Sequence, residues 1–164
     1  FFLDFNRFLE STAKKSMEEL TSSFSSEEFK KIEEKTLYRL ERRHSYVIAM
    51  GETTLCDLPR LSFARKLGLV VYLRTPPKVL AERLFPLENH GSLALKETNS
   101  IEGLTKKLEL LMEEREKNYL NADVIIDTAY NTLDTMKLHL AATEMKSLNR
   151  QYIQDINTII QKRE

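Results

Sequence analysis

The sequence predicts an α/β domain in which helices cover both faces of a parallel β-sheet. Three short apolar runs support this fold class, at residues 46–50, 69–73 and 124–126. Each run is rich in β-branched or aromatic residues and does not alternate with polar ones, which is typical of strands buried on both faces. Helical patterns separate the runs, and strands that alternate with helices indicate a parallel sheet.

The remaining elements follow in order along the chain. Residues 1–3 predict one more strand at the start of the sequence. Ser25 and Glu28 have the spacing of a capping box and predict the start of a helix. The prolines at 76–77 suit the first turn of another helix. Apolar residues spaced three and four apart predict a further helix over 104–120.

Two regions differ from this pattern. Residues 85–101 contain several turn-forming residues and predict an excursion long enough to act as a lid. Residues 131–164 predict one or two helices that form a C-terminal extension, which either packs on the sheet or contacts a protein partner. The main domain is therefore predicted at residues 1–130.

Length and charge limit the class of protein. A chain of 164 residues is predicted to form one domain. Its 25 basic and 25 acidic residues cancel, so no nucleic-acid or anionic-membrane partner is expected. No apolar stretch approaches the roughly 18 residues of a membrane span. We expect a soluble protein of the cytoplasm or of an organelle interior, plastid or mitochondrial.

The single cysteine and the first residues add two further expectations. Cys56 has no partner for an intrachain disulfide, which is compatible with a reducing compartment. We interpret it as a small, at least partly buried apolar residue rather than a nucleophile. Residues 1–3 match neither a signal peptide nor a transit peptide, and the chain is expected to begin within a domain.

Six short motifs occur in an order that matches one known family. They are Phe2-Leu3-Asp4-Phe5-Asn6, Phe29-Lys30-Lys31-Ile32-Glu33, Val47-Ile48-Ala49-Met50-Gly51, Gly68-Leu69-Val70-Val71-Tyr72-Leu73, Leu80-Ala81-Glu82-Arg83, and Arg115 four residues before Tyr119, followed by Ala122-Asp123 and Ile126-Asp127-Thr128. Over residues 1–128 the chain resembles the shikimate kinases. The resemblance implies a three-layer P-loop kinase fold, like that of the nucleoside-monophosphate kinases. It also implies ATP-dependent phosphorylation of shikimate to shikimate 3-phosphate, a step of aromatic amino-acid biosynthesis.

The nucleotide-holding loop of that family has no counterpart in this sequence. None of the four glycines opens the G-x-x-x-x-G-K-S/T pattern that cradles nucleotide phosphates. In the family this P-loop and the strand before it precede the segment that matches Phe1, so both are expected to be missing here. Loss of that central strand is expected to leave two strands with unpaired edges. No cofactor is therefore expected for residues 1–164, whereas ATP and magnesium are expected if a P-loop lies upstream.

The resemblance assigns roles to three residues near the first strand and the helices that follow. Asp4 is the candidate catalytic residue and would hold magnesium through water. Asn6 stands where an aspartate would accept a hydrogen bond from a shikimate hydroxyl, although an amide is no proton acceptor. Lys30 stands where an arginine would bind the shikimate carboxylate, and it lacks the bidentate fork. Alternatively, Asp4 is only a helix N-cap and Lys30 only part of a solvated helix face.

Later motifs supply the remaining candidates. Gly51 keeps the first of three family glycines at the shikimate site, whereas Glu52 and Thr53 replace the others or simply begin a helix. Arg115 matches a carboxylate-binding arginine of the family. Alternatively, it is an ordinary surface residue. Arg83 matches an arginine that packs near the adenine of ATP. The predicted lid, at residues 89–93, supplies no arginine.

Two hypotheses about function follow from these substitutions. In the first, the chain keeps the fold without catalysis and serves as a binding or structural subunit that contacts a protein partner through its C-terminal helices. In the second, it is part of an active shikimate kinase that binds shikimate and ATP. A variant of the second is a related kinase whose substrate is less anionic than shikimate, because Glu52 adds a negative charge.

Overall fold

The computed structural model describes residues 2–41, 47–87, 95 and 98–129. The alternation of strands and helices predicted from the sequence is confirmed over these residues. The elements, in chain order, are β1 (Phe2–Asp4), α1 (Phe5–Ala13), α2 (Met17–Ser23), α3 (Ser26–Leu37), β2 (Val47–Ala49), α4 (Leu58–Leu67), β3 (Val71–Arg74), α5 (Pro77–Leu84), α6 (Ile101–Tyr119) and β4 (Val124–Asp127).

Side-chain caps fix where the helices begin. The Ser25 hydroxyl accepts a hydrogen bond from the Glu28 amide at 3.3 Å, and the Glu28 carboxylate accepts one from the Ser25 amide at 2.9 Å. The predicted capping box is therefore confirmed. Helix α6 begins at Ile101, earlier than predicted, because the Ser100 hydroxyl accepts a hydrogen bond from the Gly103 amide at 3.0 Å.

The strands form two parallel pairs. Strand β1 pairs with β2, with Phe2 opposite Val47. Strand β3 pairs with β4, with Val71 opposite Val124. Parallel pairing is as predicted, but the expected single sheet is not, because the described strands form two separate two-stranded sheets. Among the described strands, β2 and β3 therefore each have a partner on one side only.

The hydrogen bonds of β3 show which of its backbone groups face away from β4. The Val70 carbonyl accepts a hydrogen bond from the Val124 amide at 3.1 Å, and the Arg74 carbonyl accepts one from the Thr128 amide at 2.7 Å. Successive residues of a strand direct their backbone groups to opposite edges. Val71 and Leu73 therefore direct their N–H and C=O groups to the edge of β3 that has no partner among the described strands.

Each strand pair has its own cover of apolar side chains. Beside β3 and β4, Ala81 and Leu104 are fully buried and pack with Leu95 and Leu108 between α5 and α6. The fully buried apolar residues of the first three helices are Phe5, Leu9, Leu20 and Leu37. Burial of each leucine contributes about 2 kcal/mol. Each half of the fold is thus stabilised mainly by its own helices.

Two further sequence predictions can be compared with the structure only over the residues that it describes. No helix among the described ranges is long and apolar enough to cross a membrane. The predicted C-terminal helices at 131–164 and most of the predicted lid at 85–101 lie outside the residues that the structure describes.

Candidate active site

The candidate site begins where β1 and β2 end, because parallel strands present their carboxyl ends at one edge. Asp4 lies opposite Ala49 at the last position of this pair. Asn6 and Gly51 follow these positions and approach each other closely. A Cβ atom at Gly51 would lie 2.6 Å from Asn6 Oδ1 and 2.8 Å from Thr54 Oγ1. Glycine is therefore required at 51 for this close approach.

Asp4 acts as the N-cap of α1. Its Oδ1 accepts hydrogen bonds from the amides of Asn6 at 2.9 Å and Arg7 at 3.3 Å. These bonds satisfy two of the amides that a helix start leaves without partners. The capping interpretation is confirmed, and the cap fixes the position of Asn6 beside Gly51. A catalytic role of Asp4 stays a prediction.

Residues 51–56 form a turn, hereafter the 51–56 turn, that two threonine hydroxyls anchor to α3. Thr53 Oγ1 and Thr54 Oγ1 donate hydrogen bonds to the Glu33 carboxylate at 2.9 and 3.0 Å. The Glu33 side chain is buried, and burial raises its pKa, although the two hydroxyl groups oppose this effect. The hypothesis that Glu52 begins a helix is wrong, because α4 starts only at residue 58.

Arg60 extends this anchor from α4 and was not predicted from the sequence. It is 4% exposed, and its Nη2 lies 2.7 Å from Asp57 Oδ2 and 3.0 Å from Cys56 Sγ. Its Nη1 lies 3.8 Å from Glu33 Oε2 and has no hydrogen-bond partner. Cys56 is half-buried in the 51–56 turn, as interpreted. The turn is thus held by charged groups on α3 and α4.

Helix α6 holds the opposite side of the same turn. The Tyr119 hydroxyl donates a hydrogen bond to the Glu52 carbonyl at 2.7 Å, and Asn118 Nδ2 donates one to the Cys56 carbonyl at 2.6 Å. Burial raises the pKa of Tyr119, and the positive charge of the nearby Arg115 guanidinium opposes this shift. Arg115 is half-buried, so the structure brings this predicted residue to the same site.

A cavity of about 380 Å³ lies between the end of β2 and the unpaired edge of β3. Its lining is largely apolar and includes Val71, Leu73 and Leu111. Gly51 and Arg115 also line this cavity. The cavity therefore has largely apolar walls with one cationic residue, Arg115, and one acidic residue, Glu52, among them, and the guanidinium is the lining group suited to an anionic part of a ligand.

Two predicted residues lie apart from this group. Lys30 is exposed on α3, and its ammonium makes no hydrogen bond or ion pair in the described part of the chain. The solvated-face interpretation therefore fits Lys30. Arg83 lies on α5, where its Nη2 donates a hydrogen bond to the Thr128 carbonyl at 3.0 Å, just after β4. Arg83 thus belongs to the end of the second strand pair.

The described residues contain no group of three His, Cys, Asp or Glu side chains that could enclose a metal ion. Magnesium rarely needs such a group, because it is usually held by one or two carboxylates together with water and substrate phosphates. Asp4, at the end of β1, is one carboxylate of the kind that such a magnesium site uses.

Solved structures with a similar fold define the class of protein. Shikimate kinase from Bacteroides thetaiotaomicron matches 92% of this chain and 83% of its own with a TM-score of 0.70 at 18% identity. Shikimate kinase from Acinetobacter baumannii, solved in complex with shikimate, matches 90% of this chain and 79% of its own with a TM-score of 0.69 at 23% identity. At these identities the likeness establishes the fold, which is that of the small P-loop kinases.

Sequence comparisons identify the family. The family model for shikimate kinase matches residues 1–162. Shikimate kinase from Caldanaerobacter subterraneus subsp. tengcongensis is 27% identical over 133 residues, which cover 81% of this chain and 74% of the relative. Shikimate kinase from Chlorobium chlorochromatii is 29% identical over 129 residues, which cover 77% of this chain and 68% of the relative. The chain belongs to the shikimate kinase family.

Proposed function

We propose that this protein works as a shikimate kinase and that residues 1–164 supply its shikimate-binding part. The observation that carries this proposal is that Gly51 and Arg115 line one cavity near the end of β2, and that Asn6 lies against Gly51. These three residues come from motifs far apart in the sequence, and all three were assigned to shikimate by resemblance. The shikimate complex of the neighbour from Acinetobacter baumannii adds support.

Each of these residues has a chemical role in the proposal. Arg115 is a half-buried cation for the shikimate carboxylate, and its guanidinium can bind a carboxylate through two parallel hydrogen bonds. Gly51 lets the backbone approach the substrate. Asn6 accepts a hydrogen bond from a substrate hydroxyl and thereby orients it. Phosphoryl transfer depends mainly on such positioning and on charge neutralisation, so these contacts are the principal contribution of the chain.

ATP requires a further part of the protein in this proposal. We place the strand and loop that would bind the ATP phosphates between β2 and β3, and we assign them to polypeptide outside residues 1–164. The backbone groups of Val71 and Leu73 support this placement, because they point to that space. Arg83, which contacts the chain at the carboxyl end of β4, would then lie near the adenine. Magnesium would neutralise charge on the phosphates, with Asp4 as its contact through water.

A second candidate function is a binding or structural subunit without catalysis. It is favoured by the use of the Asp4 carboxylate as a helix cap and by the exposed position of Lys30. Under this alternative the protein keeps the fold but does not transfer phosphate. The two candidates differ in whether shikimate and ATP bind.

The test is calorimetric titration of the complete natural polypeptide with shikimate and with magnesium-ATP, followed by a coupled assay of ADP release. We expect both ligands to bind and ADP release to require shikimate. Replacement Arg115→Met should weaken shikimate binding by at least tenfold. The matched control is Arg39→Met, an exposed arginine without a side-chain contact in the described part of the chain. If neither ligand binds, and the protein unfolds cooperatively and is therefore folded, the result would favour the non-catalytic subunit.

The strand between β2 and β3 has its own test, which is amide hydrogen exchange of β3. The amides of Tyr72 and Arg74 face β4 and should be protected in every form of the protein. Those of Val71 and Leu73 should be protected only in the complete polypeptide. Rapid exchange of both amides in an active complete protein would refute the placement of the strand.

A further inference from the structure

Thr54 is a polar residue of the 51–56 turn that takes no part in the proposed substrate contacts. It is 0% exposed, and it is not among the residues that line the cavity. A buried hydroxyl needs a hydrogen-bond partner, and Thr54 Oγ1 donates to Glu33 Oε1 at 3.0 Å. Because a hydroxyl carries a single proton, the bond to Glu33 fixes the orientation of the Thr54 side chain.

Two observations connect Thr54 to Gly51. The Thr54 amide donates a hydrogen bond to the Gly51 carbonyl at 3.2 Å, which is the bond that closes a four-residue turn. Thr54 Oγ1 also lies 2.8 Å from the position that a Cβ atom at Gly51 would take. The same threonine therefore holds the Gly51 carbonyl and fills part of the space beside the Gly51 Cα atom.

Asn6 packs against Gly51 at the same place. Its Oδ1 lies 2.6 Å from the same Cβ position, so the side chains of Asn6 and Thr54 both contact this glycine. Asn6 belongs to α1 and Thr54 to the 51–56 turn, so Gly51 is held between two separate parts of the fold. A shift of Thr54 away from Glu33 would therefore change the spacing between Gly51 and Asn6.

Thr53 shares the acceptor but lacks the connection to Gly51. Its hydroxyl donates to both oxygens of Glu33 at 2.9 Å. None of the three atoms nearest to the Cβ position at Gly51 belongs to Thr53. The turn thus keeps a bond to Glu33 without the Thr54 hydroxyl. What Thr54 alone provides is a fixed place for the Gly51 backbone relative to the buried carboxylate.

We infer that Thr54 is a positioning residue for shikimate, because its hydroxyl, anchored on Glu33, fixes the Gly51 backbone beside Asn6. This inference rests on the proposed function, in which Gly51 and Asn6 are substrate contacts. Thr54 itself does not contact the substrate. Glycine has more backbone freedom than any other residue, and Thr54 reduces the conformations open to Gly51, so that less freedom is lost when shikimate binds.

The experiment is the variant Thr54→Val in the complete polypeptide, which keeps the branched shape and removes the hydroxyl. We expect KM and the dissociation constant for shikimate to rise about fivefold to tenfold, the value of one hydrogen bond. The dissociation constant for magnesium-ATP and kcat should change less than about twofold. Thr54→Ser restores the hydroxyl and should restore shikimate affinity. In an Asn6→Ala background, Thr54→Val should have a smaller effect on shikimate binding, because one of the two contacts is already absent.

The matched control is Thr36→Val. Thr36 is buried on the same helix as Glu33, and its hydroxyl donates to the Ile32 carbonyl within that helix at 2.9 Å. This variant removes a buried hydroxyl and its hydrogen bond without touching Gly51. It should leave the affinity for shikimate unchanged.

The outcomes separate this inference from the proposed function. A wild-type protein that neither binds nor phosphorylates shikimate overturns both. An active wild type whose shikimate affinity is unchanged in Thr54→Val overturns the inference alone. Equal losses in Thr54→Val and Thr54→Ser, or equal losses for shikimate and magnesium-ATP, would show that Thr54 acts only through packing or folding, and would also overturn it. A loss confined to shikimate that Thr54→Ser reverses supports it.

Discussion

The clearest prediction concerns Glu33, whose buried carboxylate anchors the 51–56 turn. In Glu33→Ala, the hydroxyls of Thr53 and Thr54 lose their acceptor, and each lost bond costs about 1 kcal/mol. Removal of a buried methylene costs about 0.8 kcal/mol more. Arg60 keeps Asp57 as its ionic partner, so its charge is not left alone. We therefore expect Glu33→Ala to lower the free energy of unfolding by about 3 kcal/mol.

Urea denaturation of the complete polypeptide, followed by circular dichroism, measures this change. Glu33→Gln keeps an acceptor for the threonine hydroxyls, so it should cost about 1 kcal/mol. Glu27→Ala is the control, because Glu27 is exposed in the first turn of the same helix, and it should change stability by less than about 0.5 kcal/mol. A Glu33→Ala cost as small as that of Glu27→Ala would refute the role of Glu33 as an anchor.

Glu33 also predicts a pH dependence of stability. Burial raises its pKa above the ordinary value of 4.5, so the folded chain binds this proton more tightly than the unfolded chain. The resulting stabilisation is complete below the unfolded pKa and is lost as pH rises through the folded one. We expect the stability of wild type relative to Glu33→Gln to fall across that window. A difference that is constant with pH would contradict the assignment of the raised pKa to Glu33.

Variants at three other residues, Asp4, Gly51 and Tyr72, test separate features of the site. Asp4→Ala should lower thermal stability by about 1 kcal/mol because it removes the α1 cap, whereas Asp4→Asn should preserve stability and lose activity if Asp4 assists magnesium. Gly51→Ala should lower the free energy of unfolding, measured by chemical denaturation, by about 2 kcal/mol, because the new Cβ would clash with Asn6 and with the anchored Thr54 hydroxyl. Gly68→Ala is the control and should change stability little, because a Cβ at 68 would have no atom within 4 Å. Burial raises the pKa of Tyr72 to about 12, so ultraviolet titration should show a strongly delayed tyrosine that Tyr72→Phe removes, and the associated stabilisation should be lost as the pH rises above 10 through the folded pKa.

Local signals in the sequence predicted the elements well, because each helix start and apolar strand is encoded within a few residues. Ser25 with Glu28 marks the start of α3, and the run at 124–126 falls within β4. The resemblance led us to expect two strands with an unpaired edge, but which strands pair with each other was not predictable from local signals. It depends on partners far apart in the sequence, such as Val71 and Val124, which no local pattern specifies.

The candidate site was only partly predictable for a related reason. Asn6, Gly51 and Arg115 were found by resemblance, and the fold places Asn6 against Gly51 and lines one cavity with Gly51 and Arg115. Glu33 was quoted only as part of a motif, because a charged residue on a helix is usually solvated. A signal was present, since Glu33 lies four residues after Phe29 and four before Leu37 on the apolar stripe of α3.

The unpaired edge of β3 has a consequence for how the chain behaves in concentrated solution. Leu73 is 57% exposed there, and the backbone groups of Leu73 and Val71 point toward the same cleft. A strand edge of this kind is where extended segments of other molecules add and begin to aggregate. Residues 1–164 produced alone should therefore form β-rich aggregates at a rate that rises steeply with protein concentration. A polypeptide whose own strand occupies the cleft should resist aggregation under the same conditions.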